Sequence, residues 1–479
     1  MRPLRVVITA IATALVGLFA LGGASGSAAA APPRPSTRQL VVAPDGADQA
    51  SGTASDPLRT IQQAVRRLAR GGVIELRGGT YHQRVLLSGV AHLTLRPYRH
   101  EHPVISGAGI TVPRNITGLV DISDSSDVRI TGLDLTGYRT TRLDHVPAGV
   151  YLHGHDAKIV IAHDHVHDLG NDNTTLGSFD INAHGIAAYG DDPQQPIRNL
   201  RIAHNTVDHL HLGASESVVV NGNVTHWRIV GNRIHDNNNI GIDAIGYEPT
   251  LSGKYRYTQA NRARYGVIAD NTVRRIISRG NPAYWEDGSW CNCADGIYVD
   301  GGTHIRIRRN TVSDSDIGIE VAAENAKGQA DHVRVRHNRI TGSLYTGLTT
   351  GGYCNGAAAC GGVETGKSLH NTFEYNTLRG NNRLDDGSPE LLVQYHAHHN
   401  VFAHNKITAT NSDHVVYGTV PQSDSGGNRS DHNHFGATGA AAAAAQFGWN
   451  GKVYTGFDSY RTATGQDNHS RFGRARSGG

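Results

Sequence analysis

Methionine occurs once in the 479 residues, as the initiator, and lysine only six times. Strong helix formers are scarce against 58 glycines. That balance leaves little for helices and suits tight turns between short strands. The chain also lacks a strong charge of either sign. Its formal net charge of +3 falls to +1 (3 − 2) once Arg2 and Arg5 are set aside with the N-terminal leader. No polybasic footprint remains, which excludes nucleic acid as an expected partner. Cysteine is limited to Cys291, Cys293, Cys354 and Cys360. Their C-x-C and C-x5-C spacings are not those of zinc fingers.

The one long apolar run, Val6 to Leu21, follows Arg2 and Arg5 and precedes Ala29-Ala30-Ala31. A positive start, a short apolar stretch and an A-x-A-like site before Pro32 define a secretory leader over 1–31. The run is too short and too closely followed by alanines to favour a retained anchor. The expected product is a secreted, extracellular chain with no membrane attachment after cleavage. Export permits disulfides. Cys291 and Cys293 are too close to be expected partners, so cross-pairing with Cys354 and Cys360 is predicted, its order left open.

What is abundant is repetition. The template apolar-x-apolar-x-x-Asn-x-apolar recurs as LRIAHNTV (200–207), WRIVGNRI (227–234), IRIRRNTV (305–312) and VRVRHNRI (333–340). Looser copies start at Ile159, Gly266, Asn371 and Asn400. Such a period marks a solenoid. Between copies lies Gly-apolar-x-apolar, as in Gly241-Ile242-Asp243-Ala244, Gly296-Ile297-Tyr298-Val299 and Gly318-Ile319-Glu320-Val321. Its period of two predicts a strand with one buried face, so each coil holds at least two strands. The recurrent Asn is read as structural. An amide at the same corner of every coil can bond its neighbours above and below, which predicts a ladder through Asn232, Asn271, Asn310, Asn338, Asn376 and Asn405.

This pattern resembles the right-handed parallel β-helix proteins of the pectate-lyase-like superfamily, over nearly all of the mature chain. The opening stretch from Leu40 to Val85 resembles their usual start: a strand, a Gly-rich loop, a capping helix and a first coil. Asp56 and Pro57 are expected to begin the helix, and Ile61, Ala64, Val65 and Leu68 to line its buried face. The resemblance implies an all-β right-handed parallel β-helix with a short N-terminal capping helix. The β-helix domain with its cap would span 32–436. Residues 437–479 would form a C-terminal cap ending in a disordered tail, RFGRARSGG.

A β-helix implies no single chemistry, so function must come from side chains outside the barrel. Aligning the Gly-apolar strands yields two outward columns, on positions that ordinarily face solvent. One reads Tyr151, Ala187, Asp243, Tyr298, Glu320, Thr349. The other reads His153, Tyr189, Ile245, Asp300, Ala322, Gly351. A further strand, ESVVVNGN, inserts Val219 and Asn221 between the Tyr189 and Asp243 coils. With strands about 4.8 Å apart, Asp300 lies roughly 8 Å from both Asp243 and Glu320 by Cα. Carboxyl pairs about 5 to 9 Å apart can cleave a glycosidic bond. Asp243, Asp300 and Glu320 are therefore the candidate catalytic residues, with Asp300 as nucleophile or base and Asp243 or Glu320 as general acid. Asp295, Glu324, Glu248 and Asp236 are secondary candidates. Tyr151, His153, Tyr189, Trp285, Trp290, Tyr298 and Gln394 are the expected substrate contacts. The long aromatic loop 274–293 and the loop 351–367, with Tyr284 and Tyr353, would wall the groove.

The expected function is cleavage of glycosidic bonds in a poly- or oligosaccharide by hydrolysis, by a monomer without a cofactor. The complete polygalacturonase motif series is absent, since DDG at 385–387 stands alone. One alternative is a lyase or epimerase on uronate polymers. The resemblance implies that this chemistry would use Ca²⁺, for which Asp295, Asp300, Glu320 and Glu324 are the candidate ligands. It would also need a Lys or Arg base, and only Lys254, Lys327 and Arg279 could be nominated. The other alternative is a non-catalytic carbohydrate-binding protein.

Overall fold

The computed structural model describes residues 38–357, 362–410, 415–438 and 444–474. The leader, Cys360, residues 440–443 of the alanine run and the last five residues lie outside the described residues. The chain winds into a right-handed parallel β-helix walled by three sheets of 13 strands each. The first sheet begins with Gln39–Val42, the second with Val85–Ser88 and the third with Gly79–Tyr81.

The recurrent template turns out to be two strands and the corner between them. In WRIVGNRI, Arg228–Val230 belongs to the first sheet and Arg233–Asn237 to the third. Its alternating apolar residues point inward and stack in register, Ile202 on Ile229, Ile268, Ile307 and Val335. All five are fully buried. Each such side chain contributes about 1.5–3 kcal/mol by leaving water. Farther along, the same column is filled by Phe373 and Phe402, whose rings stack 5.1 Å apart.

The asparagine ladder forms as the repeats predict, and it reaches beyond the six expected rungs to Asn205 and Asn433. At Asn310, Nδ2 donates to the Ile268 carbonyl (3.1 Å) and to Asn338 Oδ1 (3.0 Å). Its Oδ1 accepts the backbone N–H and the Nδ2 of Asn271. The residue before each Asn takes a left-handed backbone, for example His204 (φ 58), His337 (φ 55) and His404 (φ 57). Histidine tolerates that region better than most residues, which accounts for the many histidines at coil corners. Their rings stack from coil to coil, as in Tyr375 on His404 at 4.7 Å.

The ends depart from expectation in two places. The capping helix is Ile61–Arg67 with Thr60 as N-cap, four residues later than Asp56-Pro57 suggested. Asp48 holds both the N–H and the hydroxyl of Thr60, while Asp56 accepts the Ser51 N–H in the preceding loop. Ile61, Ala64, Val65 and Leu68 are buried as expected. At the other end, Arg471–Arg474, expected to be disordered, forms a strand paired with His434–Ala437. Phe472 anchors it, packing on Phe447 and Phe457 within an aromatic plug that closes the last coil.

Candidate active site

The second sheet carries the candidate residues, and its strands pair the first column as expected but the second only in stretches, since Ile245 bridges Gly301 rather than Asp300. Val219 pairs with Asp243, Asp243 with Tyr298, Tyr298 with Glu320 and Glu320 with Thr349. Asn221 pairs with Tyr189 and with Ile245, while Asp300 pairs with Ala322. The glycine that opens each strand is required by close approach. A Cβ at Gly241 would lie 2.6 Å from the Gly296 carbonyl oxygen, and one at Gly318 would lie 2.2 Å from that of Gly347.

These outward positions are not solvated as strand geometry alone suggests. Asp243 is 2% exposed, Asp300 5% and Glu320 6%. They form the floor of a cleft of about 990 Å³. Tyr284 and Trp290 from the loop 274–293, and Tyr353 from the loop 351–367, wall it. The first loop is pinned by buried polar contacts. Asn281 Nδ2 donates to the carbonyls of Gly213 (2.7 Å) and Asn238 (2.9 Å), and Asp316 accepts the N–H and hydroxyl of Ser278. The structure sets Cys291 beside Cys293, their Cα atoms 5.5 Å apart, where cross-pairing with Cys354 and Cys360 was expected.

Of the predicted residues, Asp243, Asp295, Asp300, Glu320, Glu324, Glu248, Tyr298, Trp290 and Gln394 line the cleft. Four expected substrate contacts do not. Tyr151 stacks on His153 and meets Tyr189 edge-on, forming a separate cluster on earlier coils. His153 is held by Asp121 at 3.2 Å. Trp285 packs against Trp290 across a two-stranded hairpin while Trp290 alone of the two lines the cleft. Asp236 is ion-paired with Arg275, which holds its carboxyl down at about 2.

Sequence reasoning missed Glu216, Glu286 and Asp386, which also line the cleft. Glu216 had a legible signal. It occupies the position before the strand-opening slot, as Asp295 does, so a third outward column holds Glu216, Ile240, Asp295 and Ile317. All four line the cleft. Glu286 and Asp386 come from loops, which no register argument reaches.

Nine of the lining residues are acidic, and none of the described lining residues is Lys, Arg or His. Crowding and enclosure raise the carboxyls of Glu216, Asp243, Asp295, Asp300, Glu320 and Glu324. Burial first, then Glu216 and Glu324, holds Asp243 well above the ordinary carboxylate range. Burial, then Glu320 and Asp243, does the same for Asp295. Glu320, enclosed and beside Glu324, is pushed up to about 8. Asp300 is also raised, by burial and then by Glu324, but its Oδ1 accepts the Glu324 N–H at 2.7 Å, which favours its ionised form. Asp243 Oδ1, Asp295 Oδ1 and Gln394 Oε1 are buried with no hydrogen-bond partner. Glu216 Oε2 lies 3.3 Å from His184 Nδ1 without hydrogen-bond geometry, and burial drives that imidazole down to about 4, leaving it neutral.

Among the described residues, the groups that gather three ligand atoms within 4.8 Å of one another are His–Asp clusters elsewhere, such as Asp134, His165 and His167. Asp295, Asp300, Glu320 and Glu324 are not among them, whereas Ca²⁺ takes about six to eight oxygens at about 2.3–2.6 Å.

No known family profile matches the chain. Over 438 residues it is 36% identical to the uncharacterized protein YwoF of Bacillus subtilis, a match covering 90% of this chain and 86% of that one. A shorter stretch of 119 residues is 34% identical to pectate lyase PEL9 of Emericella nidulans, covering 23% of this chain and 29% of that enzyme. Among solved structures, the GH136 lacto-N-biosidase from Eubacterium ramulus superposes with a TM-score of 0.51 at 13% identity. That likeness, over 91% of this chain and 67% of the other, is one of fold.

Proposed function

The chain belongs to the family of the Bacillus subtilis protein YwoF, and on that premise we propose that it is a secreted carbohydrate-active enzyme that hydrolyses glycosidic bonds in its acidic cleft. The lining carries this reading: nine carboxyl residues and no Lys, Arg or His among the described ones. Paired carboxylates are the machinery of glycoside hydrolysis. Elimination from a uronate instead needs a base and a cation to meet the sugar carboxylate. Lys254 and Lys327 lie over the rings of Tyr255 and Tyr257 and do not line the cleft, and neither does the exposed Arg279.

Roles follow from environment. Glu320 makes no hydrogen bond through its carboxyl among the described residues, and enclosure keeps it protonated at neutral pH, so it serves as general acid. Asp300 is raised too, but a backbone N–H supports its ionised form as nothing does for Glu320, so it is assigned as base or nucleophile. Asp243, two strands from Glu320, adds to the field that raises both Asp295 and Asp300. In the reaction the C1–O bond breaks and the leaving oxygen takes the Glu320 proton. One water supplies the hydroxyl that C1 gains, and its remaining proton returns to the carboxyl pair. Tyr298, Trp290 and Tyr353 offer ring faces to sugars.

A second reading, a lyase on uronate polymers, draws on the 119-residue likeness to a pectate lyase. A polysaccharide panel assayed with and without EDTA separates the two. Saturated reducing ends insensitive to EDTA are expected, whereas unsaturated products absorbing in the ultraviolet would establish the lyase. Asp300→Asn keeps an acceptor for the Glu324 N–H. It is expected to lower kcat by about 10²–10⁴ with an unchanged melting curve, and full activity in that variant would remove Asp300 from the mechanism. Export is tested by finding the chain in culture supernatant with its N-terminus at residue 32.

A further inference from the structure

We propose that the substrate of this cleft is a glycan carrying free ammonium groups, an oligomer or polymer of amino sugars without N-acyl groups. The inference rests on the hydrolase reading and names its substrate class. Carboxyl groups stand on four successive strands of the second sheet or at their entries: Glu216, Asp243, Asp295 and Asp300, Glu320. At roughly 4.8 Å per strand they extend over about 14 Å along the helix axis. A row of spaced carboxyl groups, able to ionise beside a cation, matches a linear chain with a cation on each sugar. It does not match one metal ion, because these residues are not among the groups that gather three ligand atoms within 4.8 Å.

The unpartnered atoms say the same in terms of hydrogen bonding. Asp243 Oδ1 and Asp295 Oδ1 are acceptors with nothing donating to them. Gln394 Oε1, on a residue outside the acidic row and 8% exposed, is another. An ammonium group offers three donors and no acceptor, the complement of such a lining. Sugar hydroxyls could donate but would leave the crowded charge uncompensated. A uronate would add to it. An N-acetyl group would replace a charged donor by a neutral amide. Cations entering this cleft let Glu216, Asp243 and Asp295 ionise without mutual repulsion while Glu320 keeps its proton, so the burial that is costly in the free protein becomes the source of affinity.

The test pairs each glycan with its own derivative, so that linkage does not decide the outcome. Oligomers of α- and β-linked glucosamine and galactosamine are offered to the full mature chain, fully de-N-acetylated and fully N-acetylated, beside neutral glucans and a polygalacturonate. Binding is followed by calorimetry and cleavage by product chromatography. At least one free-amine glycan is expected to bind about tenfold or more tightly than its N-acetylated twin. The affinity should fall steeply as sodium chloride rises from about 50 to 500 mM. Asp243→Asn and Asp295→Asn, each isosteric and checked by melting curve, should each weaken it by about tenfold. Cleavage of N-acetylated, neutral or uronate glycans in preference to the free-amine set would overturn the substrate class while leaving the hydrolase reading intact. Tight binding of a free-amine glycan without cleavage would support this inference and remove the hydrolase. Absence of binding to every free-amine glycan would overturn it. So would a calcium-induced thermal stabilisation that the two Asn variants abolish, with no free-amine glycan bound.

Discussion

Asp164 offers a sharp test of how the ladder and buried charge combine. It stands in the asparagine slot of the copy starting at Ile159. Its Oδ1 accepts the Leu133 N–H at 2.8 Å, and its own N–H donates to Asn205 Oδ1 at 3.0 Å, the same bonds an asparagine would make there. Its Oδ2 occupies the place of the amide nitrogen and is buried without a partner. Burial raises this carboxyl from 3.8 to about 7. With the folded value above the unfolded one, the unfolded chain ionises first. Stability is therefore fully present below about pH 4 and is lost as pH rises to about 7. A shift of roughly three units corresponds to about 4 kcal/mol at most. Asp164→Asn removes that loss and adds a donor aimed, by ladder register, at the Ile130 carbonyl and Asn205 Oδ1. The variant is expected to gain little at pH 4 and on the order of 4 kcal/mol at pH 8. Urea unfolding of both chains at the two pH values measures it. An equal difference at both, or a loss at pH 8, would refute the reasoning.

Other outcomes follow from the same structure. Asn310→Leu keeps the branching of the side chain but strands the Asn271 N–H and the Ile268 carbonyl. At about 1–3 kcal/mol for each buried group, urea unfolding should register a loss of about 2–6 kcal/mol. Under the hydrolase reading, the alkaline limb of the pH–rate profile should fall near the Glu320 value of about 8 and vanish, with most of the activity, in Glu320→Gln. Trp290→Ala, on the cleft wall, should raise KM with little change in kcat, and an equal fall in both kcat and kcat/KM would assign it a different role.

The repeats were enough to determine the solenoid. A period-two apolar pattern cannot sit still unless its partner coil buries the same face. An Asn at every corner has partners only if the coils stack in register. The first outward column and stretches of the second, including the insertion of Val219 and Asn221, were legible for this reason. So were Asp243, Asp300 and Glu320 as neighbours on one face. Extending the alignment by one position would have added Glu216.

Only tertiary structure decided what that face does. A strand pattern states which way a side chain points, not whether something covers it. The loop 274–293 and Tyr353 turn outward acids into the floor of a cleft, and desolvation then changes their protonation. The aromatic residues on earlier coils satisfy the same strand pattern, yet Tyr151, His153 and Tyr189 pack on one another and do not line the cleft. Periodicity is a property of neighbouring coils and is written along the chain. Enclosure depends on where irregular loops land, and that is fixed by contacts tens of residues apart, such as Asn281 with Gly213.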